Sequence, residues 1–257
     1  MKLFLFTASV FLAFLIGCKE STEPIIENRA GFCLTFDDAY VREWFKIMEL
    51  LDSNNVKTTF FVTQINQILQ DDIKLLQKIK ESGHEIGSHG WQHISSTEFL
   101  EQHTIKEYCE EEIVPSIETM ESYNLTPISY SYPYGHNCDS LDQVLLEMFS
   151  GLRDVTDEQR KPLEKRINNI EEIYYKFDKA KVISGLGIDK IFNISLEMLE
   201  EGIKRASEKN EVIVFYCHKP VENASSTYQV EYRYLRSLFD LTRKYNLINY
   251  TFSELVN

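Results

Sequence analysis

The chain has 257 residues, enough for one large domain or two small ones. A content of 43% hydrophobic and 26% charged residues is typical of a globular protein and excludes a collagen-like repeat, a disordered tail and a disulfide scaffold. The 40 Asp and Glu outnumber the 27 Lys and Arg, for a formal net charge of −13, and no block of Lys or Arg occurs; we therefore expect no nucleic-acid partner, since phosphate backbones attract basic surfaces.

The first residues have the pattern of an export signal. One basic residue, Lys2, precedes an uncharged and mostly apolar stretch at residues 3–17. At about 1.5 Å per residue this stretch is too short for the roughly 30 Å hydrocarbon core of a bilayer. It is therefore typical of a secretory signal.

The end of this stretch is more specific. Leu15-Ile16-Gly17-Cys18 resembles the bacterial lipobox, in which cleavage leaves the Cys at the N-terminus with a lipid attached; the alternative is a plain signal peptide with an incidental Cys. We predict a lipoprotein signal peptide at 1–17, lipidation of Cys18, a lipidated tether at 18–30 and one folded domain at 31–257. The lipid would anchor an exported bacterial protein in a membrane, facing the periplasm or at the cell surface.

After the tether, apolar runs of β-forming residues alternate with helical patterns. Strands are predicted at residues 31–36, 58–62 and 85–88. Helices are predicted at 41–53, 71–80 and 96–123. Gly83 stands where a glycine commonly follows a helix end, and the third helix is expected to bend at Pro115.

The alternation continues to the C-terminus. Strands are predicted at 128–132, 152–155, 182–184, 191–192, 212–217 and 248–252, and helices at 140–148, 196–209 and 232–245. Residues 156–179 are rich in charge and are expected to form a surface excursion, and a Gly-x-Gly turn is expected at 185–187. This order indicates an α/β domain with a mostly parallel sheet, either open or closed into a barrel.

Four cysteines remain beyond Cys18, at positions 33, 109, 138 and 217. No Cys-x-x-Cys pair occurs, so the sequence predicts no thiolate zinc site and no specific disulfide. Cys33 and Cys217 lie in apolar runs, where Cys is usually a small buried hydrophobe.

Polar residues that can carry chemistry follow four of the predicted strands: Asp37-Asp38, His89 with His93, residues 132–135, and His218. In parallel α/β domains the carboxyl ends of the strands form the site. Two His four apart would project from one face of a helical turn and bind one ion, and a carboxylate would complete three ligands with a position left for water. Each signal alone also has a structural explanation, such as a helix N-cap, a helix surface or a core His.

Taken together, these residues resemble the polysaccharide deacetylase family, carbohydrate esterase family 4. Its first motif appears as Thr35-Phe36-Asp37-Asp38, and its second, His-(Ser/Thr)-x-x-His, as His89-Gly90-Trp91-Gln92-His93. The third, Arg-x-Pro-Tyr-Gly, appears as Ser131-Tyr132-Pro133-Tyr134-Gly135. The fifth, an apolar strand that ends in His, is residues 212–218.

The resemblance implies one deformed (β/α) barrel of mostly parallel strands, with 31–257 as the catalytic domain. It implies hydrolytic removal of N- or O-acetyl groups from an acetylated polysaccharide or oligosaccharide. Asp38, His89 and His93 would hold a divalent metal, with Zn²⁺ expected.

The catalytic roles follow from the same resemblance. Asp37 would be the general base that takes a proton from the attacking water. The backbone N–H of Tyr134 would stabilise the oxyanion together with the metal. His218 would protonate the departing sugar nitrogen or oxygen.

The sequence departs from the family pattern in two motifs. Ser131 stands in place of the third-motif Arg that orients the base, and Arg153 is a hypothesis for the missing guanidinium; an ordinary surface Arg is the alternative. The fourth motif, which orients the acidic His, has no clear counterpart, and Asp154 and Asp189 both remain candidates to support His218.

Other residues near the motifs are interpreted more simply. Trp91 is expected in the core or in the groove wall, and His84 and His103 are expected to be structural. His136 and Asn137 would line the groove or lie in a solvated loop.

Two alternatives to the glycan deacetylase stay open. One is a hydrolase of the same fold that attacks a non-sugar amide. The other is a catalytically degenerate carbohydrate-binding lipoprotein, which the altered third and fourth motifs would permit.

Overall fold

The computed structural model describes residues 29–160 and 166–256. The predicted signal peptide at 1–17, the lipidation site Cys18 and nearly all of the tether lie outside these residues, so those predictions remain predictions.

Eleven strands are formed by the described residues: β1 (Gly31–Asp38), β2 (Thr59–Val62), β3 (Glu85–Ser88), β4 (Ser129–Ser131), β5 (Gly151–Val155), β6 (Tyr174–Tyr175), β7 (Val182–Gly187), β8 (Val212–Cys217), β9 (Lys219–Val221), β10 (Gln229–Glu231) and β11 (Ile248–Tyr250). The helices of the same residues are α1 (Val41–Lys46), α2 (Met48–Ser53), α3 (Gln70–Glu81), α4 (Ser96–Phe99), α5 (Ile105–Tyr108), α6 (Val114–Ser122), α7 (Asp139–Leu145), α8 (Leu196–Lys209), α9 (Tyr232–Lys244) and α10 (Phe252–Val256).

Seven parallel strands of the described chain close into a barrel in the order β1-β2-β3-β4-β5-β7-β8, and β8 returns to pair with β1. β11 extends the sheet beside the first half of β1, and β6 pairs antiparallel with β8. The remaining strands, β9 and β10, form a separate two-stranded sheet. Helices surround the barrel, which confirms the predicted deformed (β/α) barrel.

The alternation of side chains along β1 and β8 decides what faces the barrel interior. Phe32, Leu34 and Phe36 pack in the large core cluster with the outer helices. Cys33 belongs instead to the inner cluster, with Val212 and Val214 of β8. Because side chains alternate with a period of two, Asp37 follows Cys33 onto the inner face.

The helix prediction for 41–53 is wrong in one respect, since the segment breaks at Ile47 into α1 and α2. The single helix predicted at 96–123 is also wrong. It consists of α4, a turn, α5, a π-helical turn at Cys109–Ile113, and α6. Pro115, which has no N–H to donate, is the second residue of α6 and follows the π turn directly, so the helical path is irregular next to the predicted proline.

Two strand predictions in the second half also need correction. Gly185 and Gly187 lie inside β7 and not in a turn. The packing explains the glycine at position 187, because a Cβ there would lie 2.3 Å from the ring of Phe192. Residues 191–192 belong to a 3₁₀ turn, Lys190–Phe192, and not to a strand. The strand predicted at 248–252 is shorter in the structure, where β11 ends at Tyr250 and α10 begins at Phe252.

The predicted surface excursion at 156–179 is only partly correct for the residues described. Ile167, Ile170 and Ile173 are buried in the large core cluster. They lie in or beside two 3₁₀ turns, Ile167–Asn169 and Glu171–Ile173, whose period of three places them on one side.

Cys33, Cys109, Cys138 and Cys217 are free thiols in the structure. Among the residues described, no helix has both the length and the apolar content to cross a membrane.

Candidate active site

The polar residues of the first, second, third and fifth motifs meet in one cleft at the carboxyl ends of the barrel strands. The cleft has a volume of about 820 Å³ and contains Asp37, Asp38, His89, His93 and His218 in its lining. This is where parallel α/β folds build their sites, because the strand ends leave side chains uncovered by the next helix.

Asp38, His89 and His93 offer three ligand atoms that lie within 4.8 Å of one another. The two His Nε2 atoms are 3.2 Å apart. Asp38 Oδ1 lies 3.5 Å from His93 Nε2 and 3.9 Å from His89 Nε2.

The two histidines do not share a helical turn, so that part of the sequence argument is wrong. His89 follows β3, and the chain then turns with left-handed backbone at Gly90 (φ +84) and His93 (φ +66). A loop that reverses on itself brings side chains four residues apart together as a helical turn would, and the sequence spacing cannot distinguish the two.

His89 is oriented by its second ring nitrogen. Its Nδ1–H donates to the Ser131 carbonyl at 2.7 Å, since a carbonyl oxygen can only accept. The lone pair of Nε2 therefore faces the cluster. Burial lowers the pKa of His89 to about 3, which keeps the ring neutral as a metal ligand must be.

The three ligands suit a divalent metal. Two atoms each about 2.0–2.1 Å from a tetrahedral ion stand about 3.3 Å apart, and the ligand atoms here are spaced 3.2–3.9 Å from one another. Two neutral imidazoles and one carboxylate form a donor set typical of catalytic zinc, with a position left for water or substrate.

Asp37 is buried and pairs with Arg153 of β5. Arg153 Nη2 donates to Asp37 Oδ2 and to Ser131 Oγ. Burial alone would raise the pKa of Asp37, but the charges of Arg153 and nearby histidines outweigh it and lower the pKa. The base position is therefore a carboxylate at neutral pH.

The register of β4 and β5 explains how Arg153 reaches this position. Ser131 and Arg153 are direct partners across the two strands. The guanidinium, 0% exposed, thus stands one strand away from the position where the family motif carries its Arg. It also lies 4.8 Å from the centre of the Tyr216 ring. Arg153 is therefore a buried partner of Asp37 and not an ordinary surface residue.

His218 is held by Asp189, so the structure decides between the two candidates that the sequence left open. His218 Nδ1–H donates to Asp189 Oδ2 at 2.6 Å, and the His218 backbone N–H donates to Oδ1 at 3.1 Å. Burial lowers the pKa of His218, but Asp189 and the other carboxylates raise it more, to about 8. Asp154 instead accepts from the backbone N–H of Val155.

Tyr134 lies on the other rim of the cleft. It occupies the 3₁₀ turn Pro133–Gly135 with φ 60, and its side chain is 59% exposed. Its ring centre is 4.6 Å from that of His93. Gly135 allows this turn to approach β5, since a Cβ there would lie 2.1 Å from Val155.

His136, which follows the third motif, forms hydrogen bonds with the segment just after the second motif. Its Nδ1 lies 2.8 Å from Ser95 Oγ, and its carbonyl accepts from Ser96 Oγ. Asn137 donates from Nδ2 to Asp142 Oδ2 at 3.3 Å. Both residues therefore fix loops near the cleft.

The remaining singled-out residues are structural. Trp91 is partly buried against the large core cluster. His84 Nδ1 accepts from the Thr58 backbone N–H at 3.1 Å, and the exposed ring of His103 stacks on Phe99.

Two residues beside the site were not predicted from the sequence. Glu112 is buried beneath the loop that carries His93, in a run of three Glu in which only the π turn decides which one points inward. Tyr228 stands 5.0 Å from His218, measured between ring centres, and follows a polar loop with no recognisable motif.

A family model described as polysaccharide deacetylase matches residues 27–148. A chitin deacetylase of Pestalotiopsis sp. is 40% identical over 102 residues, a match that spans 34% of this chain and 34% of that protein. Over residues 27–148 the chain is therefore similar to polysaccharide deacetylases. It matches about a third of the length of this curated relative.

Solved structures support the barrel fold of the chain. The chitin deacetylase of Colletotrichum lindemuthianum aligns with a TM-score of 0.59 at 14% identity, over 90% of this chain and 89% of that one. The Xyl-CE4 domain of a xylanase from the hindgut metagenome of Trinervitermes trinervoides aligns with a TM-score of 0.54 at 16% identity, over 89% of this chain and 90% of that one. A carbohydrate esterase family 4 pseudoenzyme of Bacillus anthracis aligns with a TM-score of 0.58 at 14% identity, over 90% of this chain and 66% of that one. At such identities the likeness concerns the fold alone.

Proposed function

We propose that the protein is a metal-dependent hydrolase that removes N- or O-acetyl groups from a glycan. One observation carries the proposal: a His₂-carboxylate cluster, a buried carboxylate and a carboxylate-bound His share one cleft. A metal site, a base and an acid are the parts with which a metal-dependent hydrolase cleaves an amide or ester.

The metal would be held by Asp38, His89 and His93, with Zn²⁺ proposed from the donor set. Such an ion, when bound, lowers the pKa of water toward 7 and polarises a carbonyl oxygen.

The side chains of the chain supply the proton transfers. Asp37 takes the proton of the attacking water, whose oxygen forms the new bond to the acetyl carbon. When the C–N or C–O bond of the acetyl group breaks, His218 donates its proton to the departing sugar atom and acetate is released. We assign oxyanion stabilisation to the backbone N–H of Tyr134, as the family resemblance implies.

Arg153 is proposed to act through Asp37 as a positioning residue. Its guanidinium holds one carboxylate oxygen and keeps the pKa of Asp37 low despite burial. A cation at this point preserves the base that the Ser131 substitution would otherwise leave without one. This argues against a degenerate site, although a family relative of similar fold is a pseudoenzyme.

An acetylated polysaccharide or oligosaccharide is the proposed substrate. The curated relative is a chitin deacetylase, and exposed tyrosines flank the catalytic groups on two sides. Tyr134 borders His93, and Tyr228 borders His218. Aromatic rings with one apolar face and a polar hydroxyl suit contacts with a sugar ring.

We further propose that the protein is an exported bacterial lipoprotein, anchored through Cys18 and facing the periplasm or the cell surface. The support is the sequence Leu15-Ile16-Gly17-Cys18 after an apolar stretch. Cys18→Ser should move the protein from the membrane to the soluble fraction in the native host. An unchanged membrane fraction and no incorporated fatty acid in the wild type would contradict the anchor.

Acetate release from a substrate panel tests the proposed reaction. The panel contains acetylated oligosaccharides of glucosamine and xylose and simple non-sugar acetamides, with wild type, Asp37→Asn and the surface control Asp139→Asn. We expect acetate from a sugar substrate with wild type and the control, and a loss of at least 100-fold in Asp37→Asn. Release only from non-sugar amides, or sugar binding without release, would contradict the proposal and favour the respective alternative.

A further inference from the structure

The loop that carries both histidine ligands wraps around a carboxylate from a different element. Glu112, 0% exposed, projects from the π turn Cys109–Ile113. Its Oε2 accepts from the Gln92 backbone N–H at 2.8 Å, and its Oε1 accepts from that of Ile94 at 2.9 Å. These two N–H groups lie on either side of His93.

The backbone of Glu112 completes the attachment. Its carbonyl accepts from the Trp91 N–H at 3.0 Å. The loop is therefore bound to Glu112 at positions 91, 92 and 94. Two N–H groups that donate to one carboxyl group and a third that donates to the carbonyl of the same residue fix the backbone that supplies them.

Gly90 makes room for this carboxylate. Its φ is +84, and a Cβ at this position would lie 2.2 Å from Glu112 Oε1. The family motif carries Ser or Thr here, so Gly90 and the buried carboxylate fit together in this chain. His93 itself has φ +66, a conformation that a residue with a side chain adopts at a cost. The hydrogen bonds on both sides of His93 offset that cost.

We propose that Glu112 is a positioning residue that holds the 89–94 loop so that His93 directs Nε2 toward Asp38 and His89. Glu112 forms hydrogen bonds with the loop backbone on both sides of His93, so it acts through His93. The inference rests on the proposed metal-dependent function. It names the residue that preorganises one of the metal ligands.

The neighbouring glutamates show why the π turn matters. Glu110 and Glu111 belong to the same turn and are exposed, while Glu112 is buried. A π turn inserts one extra residue into a helical path and changes which side chain points inward, and such turns are frequent at functional sites. Glu111 therefore provides a matched control of the same chemistry.

Zinc affinity tests this role independently of turnover. The full chain is stripped of metal, and the zinc Kd is measured by competition with a chelator for wild type, Glu112→Gln, Glu111→Gln and His93→Ala. A carboxamide keeps the size of Glu112 but directs an NH₂ group at a backbone N–H. We expect a Kd about 10–100-fold higher for Glu112→Gln and no change for Glu111→Gln, as typical for residues that orient metal ligands.

A second readout separates positioning from a general loss of folding. The visible spectrum of the cobalt-loaded protein should differ between Glu112→Gln and wild type, and acetate release by the variant should return at saturating zinc. Gly90→Ala keeps the glutamate at position 112 but should displace its carboxylate, because the new Cβ collides with Glu112 Oε1. This variant should therefore also weaken zinc binding.

The outcomes are distinct. Zinc binding by wild type with an equal Kd in Glu112→Gln and Gly90→Ala would overturn the role of Glu112 and leave the proposed function intact. A wild-type protein that binds no zinc would contradict the proposed function itself, together with this inference.

Discussion

At the scale of single residues, Arg153 pairs with Asp37 from the strand beside the position where the resembled motif carries its Arg. Arg153→Ala removes the buried cation, so burial is no longer offset and the pKa of Asp37 rises. A base must be deprotonated to act. The rising, acidic limb of the kcat/KM–pH profile should therefore move to higher pH, with a loss of about 100-fold at neutral pH.

The double variant Arg153→Ala with Ser131→Arg is the matched control for this prediction. It returns the guanidinium to the strand position used by the family, directly across from residue 153. Activity and the acidic limb should recover at least in part. An acidic limb that is identical in wild type and Arg153→Ala would show that Arg153 does not act on the base.

Asp189 makes a second prediction at this scale. Its carboxylate raises the pKa of His218 to about 8, against an ordinary value of 6.5. His218 must be protonated to act as an acid, so activity falls as pH rises through its pKa. In Asp189→Asn the falling limb should move to lower pH by about one unit, with roughly fivefold less activity at pH 8. A falling limb that stays in place would contradict this assignment; Asp154→Asn serves as the control.

The sequence predicted some residues of the site and not others for physical reasons. Asp37, Asp38 and the histidines follow strands directly, and strand ends converge in a parallel barrel. The choice of Asp189 over Asp154 depends on how the chain leaves β7 after Gly187, which no local pattern reports. The inward direction of Glu112 depends on one extra residue in a helical path.

At the scale of elements, a buried histidine links the beginning of β2 to the turn before β3. His84 Nδ1 accepts from the Thr58 backbone N–H, and burial lowers the pKa of His84 to about 4. Between pH 6.5 and 4 the unfolded chain therefore binds more protons at His84 than the folded protein does. The free energy of unfolding should fall over this window as pH falls, by about 3 kcal/mol from this group.

His84→Asn tests that dependence, because an Asn Oδ1 can replace the acceptor but does not titrate. Urea unfolding at several pH values between 4 and 6.5 should give a flatter dependence for His84→Asn than for wild type. The exposed His103 gives the control, since His103→Asn should keep the wild-type slope. Equal slopes for all three proteins would contradict the role of His84.

Strands were predicted from the sequence better than helices. A strand such as β8 is buried on both faces and reads as one apolar run, whereas the breaks at Ile47 and at Cys109–Ile113 depend on how each helix fits the barrel. The glycines of β7 looked like a turn because the local pattern does not report the side chains that crowd them, Tyr216 at Gly185 and Phe192 at Gly187.

At the scale of the whole molecule, the proposed metal joins β1 to the loop after β3 and should stabilise the barrel. A ligand that binds only the folded state adds about 2.7 kcal/mol at a free concentration of 100 times its Kd. We expect zinc to raise the melting temperature of stripped protein by roughly 5–10 °C, and His93→Ala to lose this shift. An equal shift in His93→Ala would place the bound zinc elsewhere.

If the cleft is a metal-dependent deacetylase site, turnover of an acetylated glycan must depend on the metal held by Asp38, His89 and His93. Acetate release from acetylated oligosaccharides is followed for the purified chain as isolated, stripped of metal and reloaded with one equivalent of zinc, beside His93→Ala. We expect that release stops on stripping, returns with near-stoichiometric zinc in wild type and does not return in His93→Ala. Release that continues after complete removal of metal would contradict it, as would the absence of any release from zinc-loaded wild type.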